Sequence, residues 1–158
     1  IEVQQEGAQI IYSRRGMQFD LGDGAILTIL FPDHDPSGFE SNPSSIVARL
    51  TYGDSEFLFT GDSPQAIEKY LVSLDGSGLQ SDVLKSGHHG SRTSSSEDFL
   101  NAVHPQYAIV SAGKNNKYGH PHKEVMDALH AIGAKTENTA DLGSITFLSN
   151  DHELWQKH

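Results

Sequence analysis

Three apolar segments of the chain each run directly into a short polar loop, and this alternation constrains the fold more than any other feature. Each segment is four or five residues long, which suits a buried strand better than a helix. In sheets whose strands are joined by helices, ligand sites gather where such loops leave the strand ends. The segments are residues 56–60, 82–85 and 107–111, and the loops that follow them are residues 61–63, 87–91 and 114–122.

Amphipathic segments follow these loops and predict three helices. Ser63 is placed to cap the first helix, with Pro64 at its first position. A capping box from Ser94 to Glu97 predicts the start of the second helix, and the third begins near Pro121. Gly133 is the expected end of the third helix. The predicted apolar faces are Ile67, Tyr70, Leu71 and Leu74, then Phe99, Leu100 and Val103, then Val125, Leu129 and Ile132.

The remaining patterns predict further strands in one unit. A buried strand at 26–31 is followed by a loop at 32–44, and a hairpin joins 45–52 to 56–60 around Gly53 and Asp54. Strands at 135–139 and 144–148 flank a turn at 141–143. The sequence therefore predicts an α/β (α+β) fold, a mixed sheet with helices on one face, in a single domain over residues 1–158.

Composition excludes several classes of function. Cysteine is absent, so any metal must be bound by His, Asp or Glu. The formal charge of −10 opposes a polyanion at long range, so a broad basic surface for duplex nucleic acid is not expected. No apolar run approaches the roughly 20 residues of a membrane span. The N-terminus lacks signal-peptide features and an initiator Met, so we expect the chain to begin within a larger product.

The chemistry-bearing residues lie in the three loops. Asp62 follows a strand and can bridge cations, although in isolation it is equally a turn or helix cap. His88 and His89 are flanked by glycines that let the backbone approach a ligand. Adjacent side chains point in different directions, so one imidazole is the better ligand and the other a supporting or substrate-contacting group. The sequence does not decide which is which.

The third loop is suited to an anion. His120 and His122 lie at a predicted helix start, where free N–H groups favour phosphate. Lys114, Asn115 and Tyr118 add hydrogen-bond donors, although the loop could equally be an ordinary helix cap with solvated lysines. The other histidines are predicted to be structural or surface residues: His34, His104, His130, His152 and His158.

In combination, residues 42–47, 58–62, 83–94 and 113–122 resemble the ComEC family and its soluble relatives with the metallo-β-lactamase fold. The resemblance implies a four-layer αββα sandwich with two divalent metal ions, zinc or manganese, between its sheets. It implies that Asp62 is the bridging carboxylate, that the His88 and His89 pair supplies the last histidine ligand, and that His120 contacts the scissile group. The implied catalytic residues are His89 and His120, and the implied substrate-binding residues are Asn42, Ser91, Lys114, Asn115, Tyr118 and His120.

The chain departs from this family in one respect. The His-x-His-x-Asp-His signature is absent, and His34 is the only candidate, by order, for a further histidine ligand. We therefore expect a partial domain, the C-terminal half of the sandwich, which is inactive alone and self-associates through an exposed sheet face. Its expected partners are the N-terminal half of the same domain, a DNA or other phosphodiester substrate, and a membrane channel domain in the parent protein.

The resemblance implies a metal-dependent hydrolase that cleaves phosphodiesters or DNA during DNA uptake. Two alternatives stay open: a non-catalytic structural or interaction module with a degenerate metal site, and a small-molecule phosphodiesterase of the same fold. The implied location is the extracytoplasmic face of the plasma membrane for a ComEC-type protein; the soluble relatives would be secreted or cytoplasmic.

Overall fold

A seven-stranded mixed sheet forms the centre of the computed structural model, which describes residues 5–35 and 42–157. Its strands lie side by side in chain order. The first four strands are antiparallel, and β4 to β7 are parallel. The strands are β1 (Gln18–Asp20), β2 (Ile26–Phe31), β3 (Val47–Tyr52), β4 (Ser55–Phe59), β5 (Val83–Lys85), β6 (Tyr107–Val110) and β7 (Lys135–Asn138).

Helices join the parallel strands, as parallel pairing requires. Helix α1 (Gln65–Asp75) connects β4 to β5, α2 (Glu97–Val103) connects β5 to β6, and α3 (Lys123–Ala131) connects β6 to β7. A short helix α4 (Thr139–Leu142) precedes a separate hairpin of β8 (Thr146–Ser149) and β9 (Leu154–Lys157). Across the two described ranges, no helix is long and apolar enough to cross a bilayer.

The three long helices cover one face of the sheet. Leu58, Leu84 and Ala108 are aligned across β4, β5 and β6 and are buried on this face. Because side chains alternate along a strand, one residue in two faces the helices. The helical contribution to this core comes from Leu71, Phe99, Leu100, Val103, Val125 and Leu129. Removing one such leucine side chain would cost about 2–5 kcal/mol of stability.

The opposite face of the sheet is apolar and partly open. Phe59, Lys85 and Ile109 are aligned across the same strands and line a cavity of about 360 Å³ on this face. The β8–β9 hairpin covers only part of it, where the ring of Phe147 packs 5.0 Å from that of Tyr107. We call this face, marked by Phe59, Lys85 and Ile109, the open face.

The predicted class and the order of the central elements are confirmed, but details at the helix starts were wrong. The Ser63 hydroxyl is buried without a partner in the described structure, and Pro64 occupies the cap position. The predicted capping box is not formed, because the Ser94 hydroxyl instead donates to the carbonyl oxygens of Gly87 (2.8 Å) and Ser91 (2.9 Å). At Ser94, carbonyl partners in the turn before it thus take the place of the predicted cap.

Other departures lie at the edges of the fold. Strands β1 and β9 were not predicted, and the turn predicted at 141–143 belongs to α4 and its cap. On α1, Leu71 is fully buried, whereas Tyr70 and Leu74 are exposed. The loop predicted at 32–44 lies partly outside the described residues, and its last residues form a short 3₁₀ turn, Asn42–Ser44.

Lys85 provides a test of the open face. Burial lowers the pKa of its ammonium group, an effect that the carboxylate of Asp62 opposes. Between this lowered pKa and the ordinary pKa of 10.5, the folded chain holds fewer protons at Lys85 than the unfolded chain, so stability rises with pH in that window and the cost of burying the charge is greatest below it. Lys85→Met should stabilise the chain at neutral pH by about 1 kcal/mol, since the lost bond to the Ser86 carbonyl offsets part of the gain.

The measurement is thermal unfolding at several pH values up to 10.5, with the exposed Lys69→Met on α1 as control. The gain in stability of Lys85→Met over the unmodified chain should shrink as the pH rises. A difference independent of pH would contradict this explanation.

Candidate functional site

Three loops meet at the edge of the sheet where β4, β5 and β6 end. Asp62 follows β4, the turn Gly87–Gly90 follows β5, and the loop containing His120 follows β6. The three strands are parallel, so their carboxyl ends lie at the same edge. Nε2 of His89 lies 3.7 Å from Oδ1 of Asp62, and the rings of His88 and His120 lie 5.7 Å apart.

The Asp62 loop is shaped by the glycine before it. Gly61 has a left-handed backbone (φ +56°), and a Cβ there would lie 3.0 Å from Cβ of Ser45. The Ser45 hydroxyl accepts a hydrogen bond from the Asp62 N–H at 3.1 Å. The carbonyl oxygen of Gly61 accepts one from the His88 N–H at 3.0 Å. The first two loops are thus joined directly through the backbone.

The histidine turn has an unusual backbone. Both His88 (φ 45°) and His89 (φ 56°) adopt the left-handed conformation, which costs of order 1–3 kcal/mol per non-glycine residue. Gly90 follows with φ +79°, and a Cβ there would lie 2.6 Å from Cβ of Pro121. The His122 N–H also donates to the Gly90 carbonyl at 2.9 Å. The third loop therefore packs against the turn and helps to hold its conformation.

His89 is oriented as a metal-ligating histidine would be. Its Nδ1 lies 2.7 Å from the carbonyl oxygen of Ser111, which can only accept a hydrogen bond. Nδ1 therefore carries a proton, and Nε2 faces Asp62. The separation of 3.7 Å is too long for a hydrogen bond but short enough for both atoms to reach one ion.

His88 points elsewhere. Its Nδ1 lies 3.2 Å from the hydroxyl of Thr93, and its ring packs edge-on against that of His120. Of the two imidazoles, it is therefore that of His89 that faces the Asp62 carboxylate.

His120 forms the centre of an imidazole cluster. Its ring stacks on Tyr118 with 5.7 Å between centroids and lies 4.9 Å from that of His122. Burial lowers the pKa of His120, and His122, His88 and His89 lower it further, whereas Asp62 opposes the shift. A neutral imidazole is thus favoured here, beside a cavity of about 180 Å³ lined by His89, Ala112, Gly113, Asn116, Tyr118 and His120.

Sequence reasoning missed Asn116, which organises this third loop. Its Nδ2 donates to the carbonyl oxygens of Gly113 (2.9 Å) and His120, and its Oδ1 accepts from the N–H groups of Tyr118 (3.2 Å) and His120 (3.0 Å). The neighbouring Asn115, which the sequence predicted as a substrate-binding residue, is exposed with φ 57°. No signal in the sequence separates Asn116 from Asn115, since both amides lie between Gly113 and Gly119 and both can donate and accept hydrogen bonds.

The other predicted substrate-binding residues have different surroundings. Lys114 is exposed on the third loop. Asn42 begins the 3₁₀ turn before β3, and its carbonyl accepts from the Ser45 N–H at 3.1 Å. Ser91 is only 5% exposed, and its hydroxyl lies 3.0 Å from that of Thr93. His34 lies at the end of β2 against the ring of Phe31.

The described residues do not complete a metal site. Within residues 5–35 and 42–157, no group of three or more His, Asp or Glu side chains converges on one point. Asp62 and His89 have the right donor atoms, but two donors do not hold a pair of ions.

A mixed sheet with a histidine and a carboxylate paired where its parallel strands end is typical of α/β proteins that bind a ligand at that edge. Residues 33–114 match the model of the metallo-β-lactamase superfamily. The chain belongs to this superfamily, which confirms the predicted resemblance.

Curated relatives are competence and recombination proteins. The chain is 41% identical to Competence protein ComA of Neisseria gonorrhoeae over 79% of its length, and 34% identical to ComE operon protein 3 of Bacillus subtilis over 90%. It is 38% identical to Recombination protein 2 of Haemophilus influenzae over 77%. The chain spans only 18%, 18% and 15% of these proteins, respectively.

A solved structure has the same fold. It is described as a "Putative metal-dependent hydrolase" from Parabacteroides distasonis, and the match has a TM-score of 0.54 at 14% identity. The match covers 87% of this chain and 60% of that one. At this identity the likeness supports the fold alone.

Asn116→Ala should loosen the third loop. Without the amide, the Tyr118 and His120 N–H groups lose their partner, and one hydrogen bond contributes about 1 kcal/mol. Hydrogen exchange of the His120 amide should accelerate about fivefold to tenfold.

The matched control is Asn115→Gly, because glycine adopts the φ of 57° without strain. Exchange at His120 should stay close to that of the unmodified chain in this control. Equal acceleration in both variants would show that Asn116 has no special part in ordering the loop.

Proposed function

We propose that Asp62 and His89 are two ligands of a divalent-metal centre in a metal-dependent hydrolase. The observation that carries the proposal is the anchored imidazole of His89, whose Nδ1 donates to Ser111 while Nε2 faces the Asp62 carboxylate. The remaining ligands would come from polypeptide outside the described residues. Membership of the metallo-β-lactamase superfamily supports this reading.

Zinc and manganese both suit a site of imidazole and carboxylate donors. The family resemblance favours two ions, and Asp62 would be one of the residues that hold them. We propose no catalytic role for His88; its ring would support His120 at the substrate side of the centre.

The proposed substrate is a phosphodiester, with single-stranded DNA as the leading candidate. The relatives named for competence and recombination support this choice. Locally, His120, Lys114 and Lys117 provide donors on the third loop, although the chain carries a net charge of −10. The attraction for a polyanion would thus be confined to this edge and to the bound cations.

The small cavity beside His89 favours a second candidate in the same class. Its volume of about 180 Å³ suits one small chemical group, with the ring of Tyr118 as one wall. A small-molecule phosphodiesterase would use the same ligand pair. The two candidates differ in whether cleavage requires a polynucleotide.

The ligand assignment predicts a specific pattern of metal loss. In the full-length protein that contains this chain, Asp62→Ala and His89→Ala should each lower metal affinity at least tenfold, because each removes a ligand. His88→Ala is the matched control, since His88 shares the same left-handed turn. The measurement is zinc and manganese content by elemental mass spectrometry after dialysis at graded free-metal concentrations.

Loss of metal in His88→Ala but not in His89→Ala would reverse the assignment.

The same variants also test the proposed hydrolytic activity. Metal-loaded full-length protein should cleave linear single-stranded DNA, and Asp62→Ala should not. A protein that binds metal through Asp62 and His89 but cleaves neither DNA nor a small phosphodiester would instead be a non-catalytic module.

We further propose that residues 1–158 are one part of a larger domain and that the rest of that domain covers the open face. Phe59 is 41% exposed there although β4 is an interior strand, paired with β3 on one side and β5 on the other. The solved hydrolase is longer than its matched part, which covers 60% of it. In the complete protein, the associated functions would be DNA uptake and attachment to a membrane channel domain.

The isolated chain should self-associate through the open face, because exposed apolar patches of this kind drive association. Phe59→Glu should shift the light-scattering mass toward the monomer. Leu74→Glu is the control, since Leu74 is 47% exposed on the helical side of the sheet. A chain that is monomeric without any substitution would contradict the proposal.

A further inference from the structure

A buried carboxylate links the helix that follows Asp62 to the segment that follows the histidine turn. Glu68 lies in the first turn of α1 and is only 1% exposed. Its Oε1 accepts the Ser95 N–H at 2.6 Å, and its Oε2 accepts the Ser96 N–H at 2.7 Å. Both oxygens are therefore used to hold the backbone immediately before α2.

This arrangement has an energetic cost that a neutral residue would avoid. Burial raises the pKa of the Glu68 carboxyl, and the N–H groups of Ser96 and Ser95 oppose that shift only in part. Neither Pro64 before α1 nor Ser96 before α2 makes a side-chain cap hydrogen bond. A serine cap would accept from N–H groups inside the first turn of α2 and would not hold the Ser95 and Ser96 N–H groups that Glu68 accepts. The position of the carboxylate on another helix suggests a role beyond capping.

The segment held by Glu68 continues into the histidine turn. The Ser94 hydroxyl donates to the Gly87 carbonyl, and Cβ of Ser94 lies 3.0 Å from where a Gly87 Cβ would stand. The Thr93 hydroxyl lies 3.2 Å from Nδ1 of His88. A displacement of the Ser95 and Ser96 backbone would therefore reach the turn that carries His89.

The other end of the link is the Asp62 loop. Helix α1 begins three residues after Asp62, and the Gln65 N–H donates to the Thr93 carbonyl at 2.8 Å. The Gln65 side chain reaches the carbonyls of Arg92 and Ser94, each at 3.3 Å. Gln65 and Glu68 thus attach one rigid helix to the whole segment 92–96.

From these contacts we infer that Glu68 is a positioning residue that sets the separation between Asp62 and His89, an inference that rests on the proposed metal centre. The helix begins three residues after Asp62 and, through Glu68, fixes the backbone that supports the histidine turn. Glu68 would touch neither metal nor substrate. Its effect would be on how well the two ligands are arranged for one ion.

The test uses Co²⁺ as the probe in the full-length protein, with binding followed by the visible absorption spectrum. Glu68→Ala should weaken Co²⁺ binding about tenfold to a hundredfold, the usual effect of removing a group that orients ligands. Glu68→Gln should weaken it less, because the amide oxygen still accepts one of the two N–H groups. Both variants should also change the spectrum of the bound ion.

Two sets of variants separate the explanations. Leu71→Ala, on the same helix and equally buried, should destabilise the fold but leave the Co²⁺ affinity within about twofold and the spectrum unchanged. Unchanged affinity and spectrum in the Glu68 variants, or an equal loss in Leu71→Ala, would overturn the inference. Should Glu68→Ala fail to fold, the result for Glu68→Gln decides.

The metal centre itself is tested by Asp62→Ala and His89→Ala in the same titration. If those variants lose Co²⁺ and the Glu68 variants do not, only the positioning role is wrong. If Asp62→Ala and His89→Ala bind Co²⁺ like the unmodified protein, the proposed function is wrong and the inference falls with it.

Discussion

The parallel pairing of β4, β5 and β6 is the constraint on which the rest of the structure depends. Their registers align Phe59, Lys85 and Ile109 side by side, so the loops that follow the three strands begin at the same edge of the sheet. Every candidate ligand lies within a few residues of that point. A shift of one residue in the pairing of β4 with β5 would exchange the faces of a strand and also displace Asp62 relative to His89.

The central elements could be predicted because their signals are local. Apolar runs of four to six residues gave the strands, and helical spacing gave α1 to α3. The caps could not be predicted, because Ser94 has partners set by the folded loop. The edge strands β1 and β9 were missed since they are short and only half-buried, which leaves little apolar pattern to detect.

The candidate site was predictable to the level of the loop, not of the atom. Asp62 and the histidine pair stood out by residue type, and the structure brings Asp62 and His89 together. The choice between His88 and His89 depends on Ser111, 22 residues away from His89, and the link through Glu68 spans 27 residues to Ser95. Contacts of this kind are made by the fold and leave no pattern in a single sequence.

The hydrogen bond that orients His89 has a consequence for sequence variation. Its acceptor is the main-chain carbonyl of Ser111, so the identity of the side chain at that position does not determine the tautomer. Divergent homologues could therefore carry almost any residue there and keep the imidazole correctly turned. An insertion or deletion just after β6 would move the carbonyl itself. Among homologues we therefore expect substitutions at position 111 to be tolerated, and changes of loop length next to it to be excluded.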